Sequence, residues 1–150
     1  KTKKLTANSL IADYIKKHIK DPVIIGPDEE SYKWAKAVAD MIGAESRILK
    51  KKRYSSYHVE VKLNKTIDLR NKNIVIVDDI ISTGNTILKA AKLLRKLGAK
   101  NIYCICVHGI FVNDAIKNLK KSKIKIISTN TIPSKFSRID VSGVIADSLR

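Results

Sequence analysis

Hydrophobic and polar positions along this chain follow two periods, and the period switches repeatedly from one end to the other. Leu10, Ile11, Tyr14 and Ile15 are spaced to share one helical face, and Asp21-Pro22 ends that helix. Residues 23–25 read as a short buried strand. Ser31 is expected to cap a helix whose apolar side carries Trp34, Ala35, Val38, Ala39 and Ile42 and which closes at Gly43. A strand over 45–49 leads into a basic turn at 50–53. Residues 58–63 alternate polar and apolar side chains, as a half-exposed strand or flap does. Residues 73–77 hold, after Asn73, an Ile/Val run of the sort found in central parallel strands. Ile87, Ala90, Ala91, Leu94 and Leu97 make the cleanest amphipathic helix, ended by Gly98. A buried strand over 102–107, a helix near 113–119, a strand over 124–127 and a closing helix over 142–149 complete the reading.

Strands alternating with helices predict an α/β domain: a mostly parallel sheet flanked by helices, joined by right-handed crossovers, with a small β flap. The length of 150 residues fits a single domain over 1–150. In such sheets ligands bind beyond the carboxyl ends of the strands, which directs attention to residues 26–31, 78–86 and 107–111.

Composition adds less. At 44% hydrophobic but only 5% aromatic, the core must be built from Ile, Leu, Val and Ala. No apolar run is long enough to cross a bilayer and nothing resembles a leader, so a cytoplasmic protein with no membrane partner is expected. The chain opens with Lys1 rather than Met, as a piece of a longer chain would. The net charge of +16 attracts polyanions in general. The basic residues are spread over the whole sequence, so a solvated surface is favoured over a nucleic-acid site. Cys104 and Cys106 would share one face of a strand; with no further Cys, two buried hydrophobes are favoured over a redox or metal pair.

The chemistry concentrates in Val77-Asp78-Asp79-Ile80-Ile81-Ser82-Thr83-Gly84-Asn85-Thr86. Two adjacent carboxylates at a strand end can accept hydrogen bonds from vicinal hydroxyls. The small residues that follow stand at a helix N-terminus, where unpaired amides and the dipole favour a phosphate. Hydroxyls at one end and phosphate at the other describe a sugar phosphate. The spacing is not that of a P-loop, because no Gly-Lys-Ser/Thr follows.

This segment resembles the phosphoribosyl pyrophosphate-binding motif shared by type I phosphoribosyltransferases and phosphoribosyl pyrophosphate synthetases. The rest of the chain is similar to the synthetases. Gly26-Pro27-Asp28-Glu29 looks like their Pro-Asp loop, and Leu49-Lys50-Lys51-Lys52-Arg53 like their mobile catalytic loop. Tyr103 with Val107-His108-Gly109-Ile110-Phe111, and Thr129-Asn130-Thr131-Ile132-Pro133, also match in order; Ser134-Lys135-Phe136-Ser137 looks archaeal. The resemblance implies a type I phosphoribosyltransferase-like fold and the C-terminal half of a two-domain enzyme, with the N-terminal half absent. That enzyme transfers the diphosphoryl group of ATP to ribose 5-phosphate with Mg2+, giving phosphoribosyl pyrophosphate and AMP. By the same resemblance Asp78 and Asp79 would hold the ribose hydroxyls, and Ser82, Thr83, Gly84, Asn85 and Thr86 the 5-phosphate. Asp28 would help bind the metal, and Lys51 and Arg53 would be catalytic. It also implies a homo-oligomer, and a chain that alone is inactive or weakly active. Mobile Lys and Arg closing over the site would stabilise charge and exclude water.

The chain departs from the family pattern at Glu29-Glu30-Ser31, where small residues and Gly are usual, and at Asn85, where Gly is common. Three other readings remain: a type I phosphoribosyltransferase, a non-catalytic sugar-phosphate sensor or partner subunit, and, on charge alone, a nucleic-acid binder.

Overall fold

The Ile- and Val-rich runs lie at the centre of a parallel sheet, because only a strand covered on both faces can be apolar throughout. The computed structural model describes residues 2–53, 59–63 and 68–150, with side chains at 2–49 and 68–150. The elements run α1 (Asn8–His18), β1 (Pro22–Gly26), α2 (Glu29–Ile42), β2 (Glu45–Arg53), β3 (Val59–Leu63), β4 (Asn73–Ile81), α3 (Asn85–Lys96), β5 (Asn101–Gly109), α4 (Ala115–Lys121), β6 (Ile124–Thr129), β7 (Ser137–Ile139) and α5 (Ser142–Ser148). The strand order is β3-β2-β1-β4-β5-β6-β7. All neighbouring pairs are parallel except β2 with β3. The expected α/β class and mostly parallel sheet are therefore observed.

The period of two along each strand sorts its side chains between two cores. Val23, Ile25, Ile74, Ile76, Cys104 and Cys106 pack with Ile87, Ala90, Ala91 and Leu94 of α3 and Leu119 of α4. Ile24, Val75, Val77 and Ile105 pack on the other face with Ile11 and Ile15 of α1 and Ala35, Val38 and Ala39 of α2. Both thiols are free and fully buried. Burial pushes Cys106 up to about 12 and Cys104 upward as well, the state of packing residues rather than reactive ones. Among the described residues no helix is long and apolar enough to cross a membrane.

Two local expectations are corrected. Residues 50–53 are not a turn: β2 continues to Arg53, because β3 pairs against it with Leu49 opposite Leu63 and Arg53 opposite Val59. The alternating stretch that suggested a flap supplies the partner that keeps this basic segment extended. The strand β7 was not foreseen. Its three residues are too few to show a period, and it forms by pairing with β6 across an irregularity at Ser128/Thr129.

Candidate functional site at the ends of β1 and β4

Strand order reverses at β1. The chain leaves β1 through α2 toward β2 on one side; β4, on the other side of β1, leads through α3 to β5. Since α2 and α3 cover opposite faces, the two exits diverge and leave a crevice, the usual place for a ligand in an open α/β sheet.

At the β4 exit the strand carries its two carboxylates in opposite environments. Asp78 is buried, with 8% exposure, while Asp79 is exposed. Each is braced by the next amide: Asp79 N donates to Asp78 Oδ1 at 3.1 Å and Ile80 N to Asp79 Oδ1 at 2.8 Å. Burial is the main cause that pushes the Asp78 carboxyl up to about 6. A hydrogen bond from Ser31 opposes that shift, and the nearby Asp28 and Asp79 charges add to it.

The segment then turns into α3 through Gly84, whose φ of 74° lies in the left-handed region. A Cβ there would also stand 3.3 Å from Leu119 Cδ1, so the turn and the close approach of α4 both call for glycine. Gly84 is the N-cap residue and offers no side-chain cap; apart from Asn85 N, which donates to Thr83 Oγ1 at 3.4 Å, the first turn of α3 keeps the donors and dipole that attract an anion. The turn is held from outside. Ile110 N and Phe111 N both donate to Ile81 O at 3.0 Å, and Val112 N donates to Ser82 O at 3.1 Å. Ser82, Thr83, Asn85 and Thr86 are exposed around a cavity of about 140 Å³ lined by Asp78 and residues 80–87. Asn85 itself adopts helical geometry; the left-handed angle belongs to Gly84.

The β1 exit is built differently. A Cβ on Gly26 would lie 2.5 Å from Tyr32 Cα, so only glycine lets the strand end meet the first turn of α2. Asp28, in extended backbone geometry, caps α2: its Oδ1 accepts from Ser31 N at 2.9 Å, and its carbonyl accepts from Tyr32 N at 3.1 Å. Ser31 is therefore not the cap that was expected. Asp28 takes that role three residues earlier, and the Ser31 hydroxyl donates instead to Asp78 Oδ1 at 2.7 Å. Glu29 and Glu30 are exposed in the first turn of α2, where the helix dipole favours negative charge.

The structure thus brings Asp28, Asp78, Asp79 and residues 82–86 to the carboxyl ends of adjacent strands. Lys51 and Arg53 lie on β2, but their side chains fall outside the described residues, as does His58. His108, at the end of β5, has Nδ1 3.0 Å from Thr131 Oγ1. The segment 129–133 ties the sheet edge together: Thr129 Oγ1 donates to Val107 O at 2.7 Å, and Asn130 Nδ2 donates to Asp140 Oδ1 at 2.7 Å. The participant missed from sequence was Ser31. A capping pattern read from Asp28, with Ser31 at the third helical position, would have released its hydroxyl for another role.

The chain carries a carboxylate pair near the end of one central strand of a mostly parallel sheet, followed by a helix N-terminus with no side-chain cap. It matches the phosphoribosyl transferase domain family over residues 2–142 and belongs to that family. Among curated proteins it is similar to ribose-phosphate pyrophosphokinases. It is 41% identical to that of Thermococcus kodakarensis, over 88% of this chain and 47% of the relative. With that of Methanothermobacter thermautotrophicus it is 40% identical, over 99% and 52%. Among solved structures it is similar to phosphoribosylpyrophosphate synthetase from Mycobacterium smegmatis, with TM-score 0.79, 28% identity, and coverage of 96% of this chain and 49% of that one. Adenine phosphoribosyltransferase from Giardia lamblia, at TM-score 0.63 and 18% identity over 81% and 76%, shares the fold. The chain spans about half the length of the curated relatives it matches.

Proposed function

We propose that this chain is the C-terminal, ribose-5-phosphate-binding half of a ribose-phosphate diphosphokinase of two related domains. The carrying observation is the β4 exit, where Asp78 and Asp79 lie near the end of the strand, five residues ahead of a helix N-terminus that has no side-chain cap. Such a site matches a ligand with hydroxyls at one end and a phosphate at the other. The carboxylates accept hydrogen bonds from the ribose 2- and 3-hydroxyls, and residues 82–86 receive the 5-phosphate. This orients the anomeric hydroxyl toward the crevice between the two exits. Its oxygen attacks the β-phosphorus of ATP, the bond between that phosphorus and the α,β-bridging oxygen breaks, AMP leaves, and the hydroxyl proton is released. Positioning and charge stabilisation account for most catalysis of this kind, and Lys51 and Arg53 are assigned the cationic part.

The donors fit Mg2+. Asp28, Asp78 and Asp79 offer hard carboxylate oxygens. Among the described residues no group of three or more His, Cys, Asp or Glu forms a metal cage. Magnesium commonly takes one or two carboxylates and completes its shell with substrate phosphates and water. Asp28 would hold it, and the ion would neutralise phosphate charge. Association into an oligomer and a cytoplasmic location belong to the same reading.

Phosphorus NMR tests the reaction. With Mg2+, ATP and ribose 5-phosphate, the chain alone should give little product. Supplied with the N-terminal half of a relative, it should give AMP and phosphoribosyl pyrophosphate in equal amounts. Accumulation of ADP would contradict diphosphoryl transfer.

A further inference from the structure

We propose that Ser31 is a positioning residue of the sugar site: its hydroxyl fixes the Asp78 carboxylate for the ribose hydroxyls and ties it to the turn that carries Asp28. The inference rests on the sugar-phosphate reading above.

Three observations support it. The bond is short and shielded: Ser31 Oγ lies 2.7 Å from Asp78 Oδ1, with Ser31 only 4% and Asp78 8% exposed. Its partners come from α2 and β4, 47 positions apart, so it joins the two exits that form the crevice. Finally, one residue serves two carboxylates, since the Ser31 amide donates to Asp28 Oδ1 at 2.9 Å while its hydroxyl donates to Asp78. A hydroxyl has a single hydrogen to donate, and here it goes to the carboxylate. With Ser31 Oγ and Asp79 N both on Oδ1, the torsion of the Asp78 carboxylate is set. A ligand hydroxyl then meets an acceptor already in place, which avoids the cost of ordering it on binding.

A serine that merely satisfied a buried carboxylate would matter for stability alone, so the test reads binding. Calorimetry on the 150-residue chain compares ribose 5-phosphate with inorganic phosphate, a probe of the helix N-terminus alone. Ser31→Ala should weaken ribose 5-phosphate about ten-fold, the order expected for one hydrogen bond to a charged group. Its phosphate affinity should match that of the unsubstituted chain. Ser31→Thr, which keeps the hydroxyl, should recover most of the loss. In an Asp78→Ala background, where the hydroxyl has no carboxylate to fix, Ser31→Ala should have little further effect, which provides a readout independent of how well threonine packs. Unchanged ribose 5-phosphate affinity in Ser31→Ala, equal loss of both ligands, or effects that add across the cycle would each overturn the proposal. Should the unsubstituted chain fail to bind ribose 5-phosphate, the sugar-phosphate reading itself falls. Failure of Ser31 alone is recognised by normal binding in both the unsubstituted chain and Ser31→Ala.

Discussion

The two strand exits that meet at the crevice handle the same problem in opposite ways. Each passes from a buried parallel strand into a helix, and each must satisfy the helix's first amides. At the β1 exit the chain uses its own carboxylate: Asp28 accepts from Ser31 N, and Glu29 and Glu30 add negative charge to the first turn. At the β4 exit the N-cap is Gly84, which has no side chain to offer, and α3 carries no acidic residue in its first turn. One helix start is neutralised from within, and the other has no side-chain cap and no acidic residue of its own. The carboxylates are arranged in the reverse sense. Asp28 is engaged as a cap, whereas Asp78 and Asp79 stand ahead of their helix and accept from the amides that follow them, Asp78 from the Ser31 hydroxyl as well. On the proposed function, the β1 exit would share its carboxylate with a metal, and the β4 exit would take a phosphate with hydroxyls beside it.

The sharpest way to break this contrast is to remove the buried charge at the β4 exit. Asp78→Asn keeps the shape and the acceptor at Oδ1. It should lower ribose 5-phosphate affinity by roughly a hundred-fold, the loss expected when charge-assisted hydrogen bonds are weakened. It should also raise stability at neutral pH, by about 1–2 kcal/mol in urea denaturation, because the native fold disfavours the ionised form of this carboxyl. The sign follows from the shift. With its folded value raised to about 6, Asp78 binds more protons in the folded than in the unfolded chain at mildly acid pH. Its contribution to stability is therefore present below about pH 4 and is lost as pH rises through about 6. Ligand hydroxyls favour the ionised form, so ribose 5-phosphate binding near pH 6 should release protons. Asp78→Asn should remove that part, read as a change in the buffer dependence of the binding enthalpy.

Next in size is Gly84→Ala. A side chain in left-handed geometry costs about 1–2 kcal/mol, and the new Cβ would press on Leu119. Both stability and inorganic phosphate affinity should fall; preserved phosphate binding would detach the helix start from the site. The smallest effect is expected from Asp28→Ala. Loss of the N-cap should cost about 1 kcal/mol of stability and weaken Mg-nucleotide binding. Ribose 5-phosphate affinity, measured without nucleotide, should remain nearly unchanged. A large loss there would erase the division of labour between the two exits.

The β4 exit was legible in the sequence because pattern and chemistry coincide in one unbroken segment. The Ile/Val run fixes a central strand, the Ile87–Leu94 spacing marks the helix face, and the nine residues between hold the polar groups. The β1 exit was half legible. Gly26 and Asp28 stand out in the sequence, but the local capping rule allows Ser31 as well as Asp28, and only the extended backbone of Asp28 decides between them. The link from Ser31 to Asp78 could not be read locally at all, since it depends on two strands becoming neighbours through the reversal of order at β1. The same holds for the extension of β2, which exists through pairing with β3, and for β7, which is shorter than any detectable period.

The central claim is that the β4 exit binds a sugar phosphate. It is tested most directly by calorimetric titration of the chain with ribose 5-phosphate in magnesium buffer at moderate salt, with Asp79→Asn as the control. The account predicts saturable one-site binding that Asp79→Asn abolishes or weakens severely while the substituted chain stays folded. Absence of binding at millimolar ligand by the folded, unsubstituted chain, or equal binding by Asp79→Asn, would contradict it.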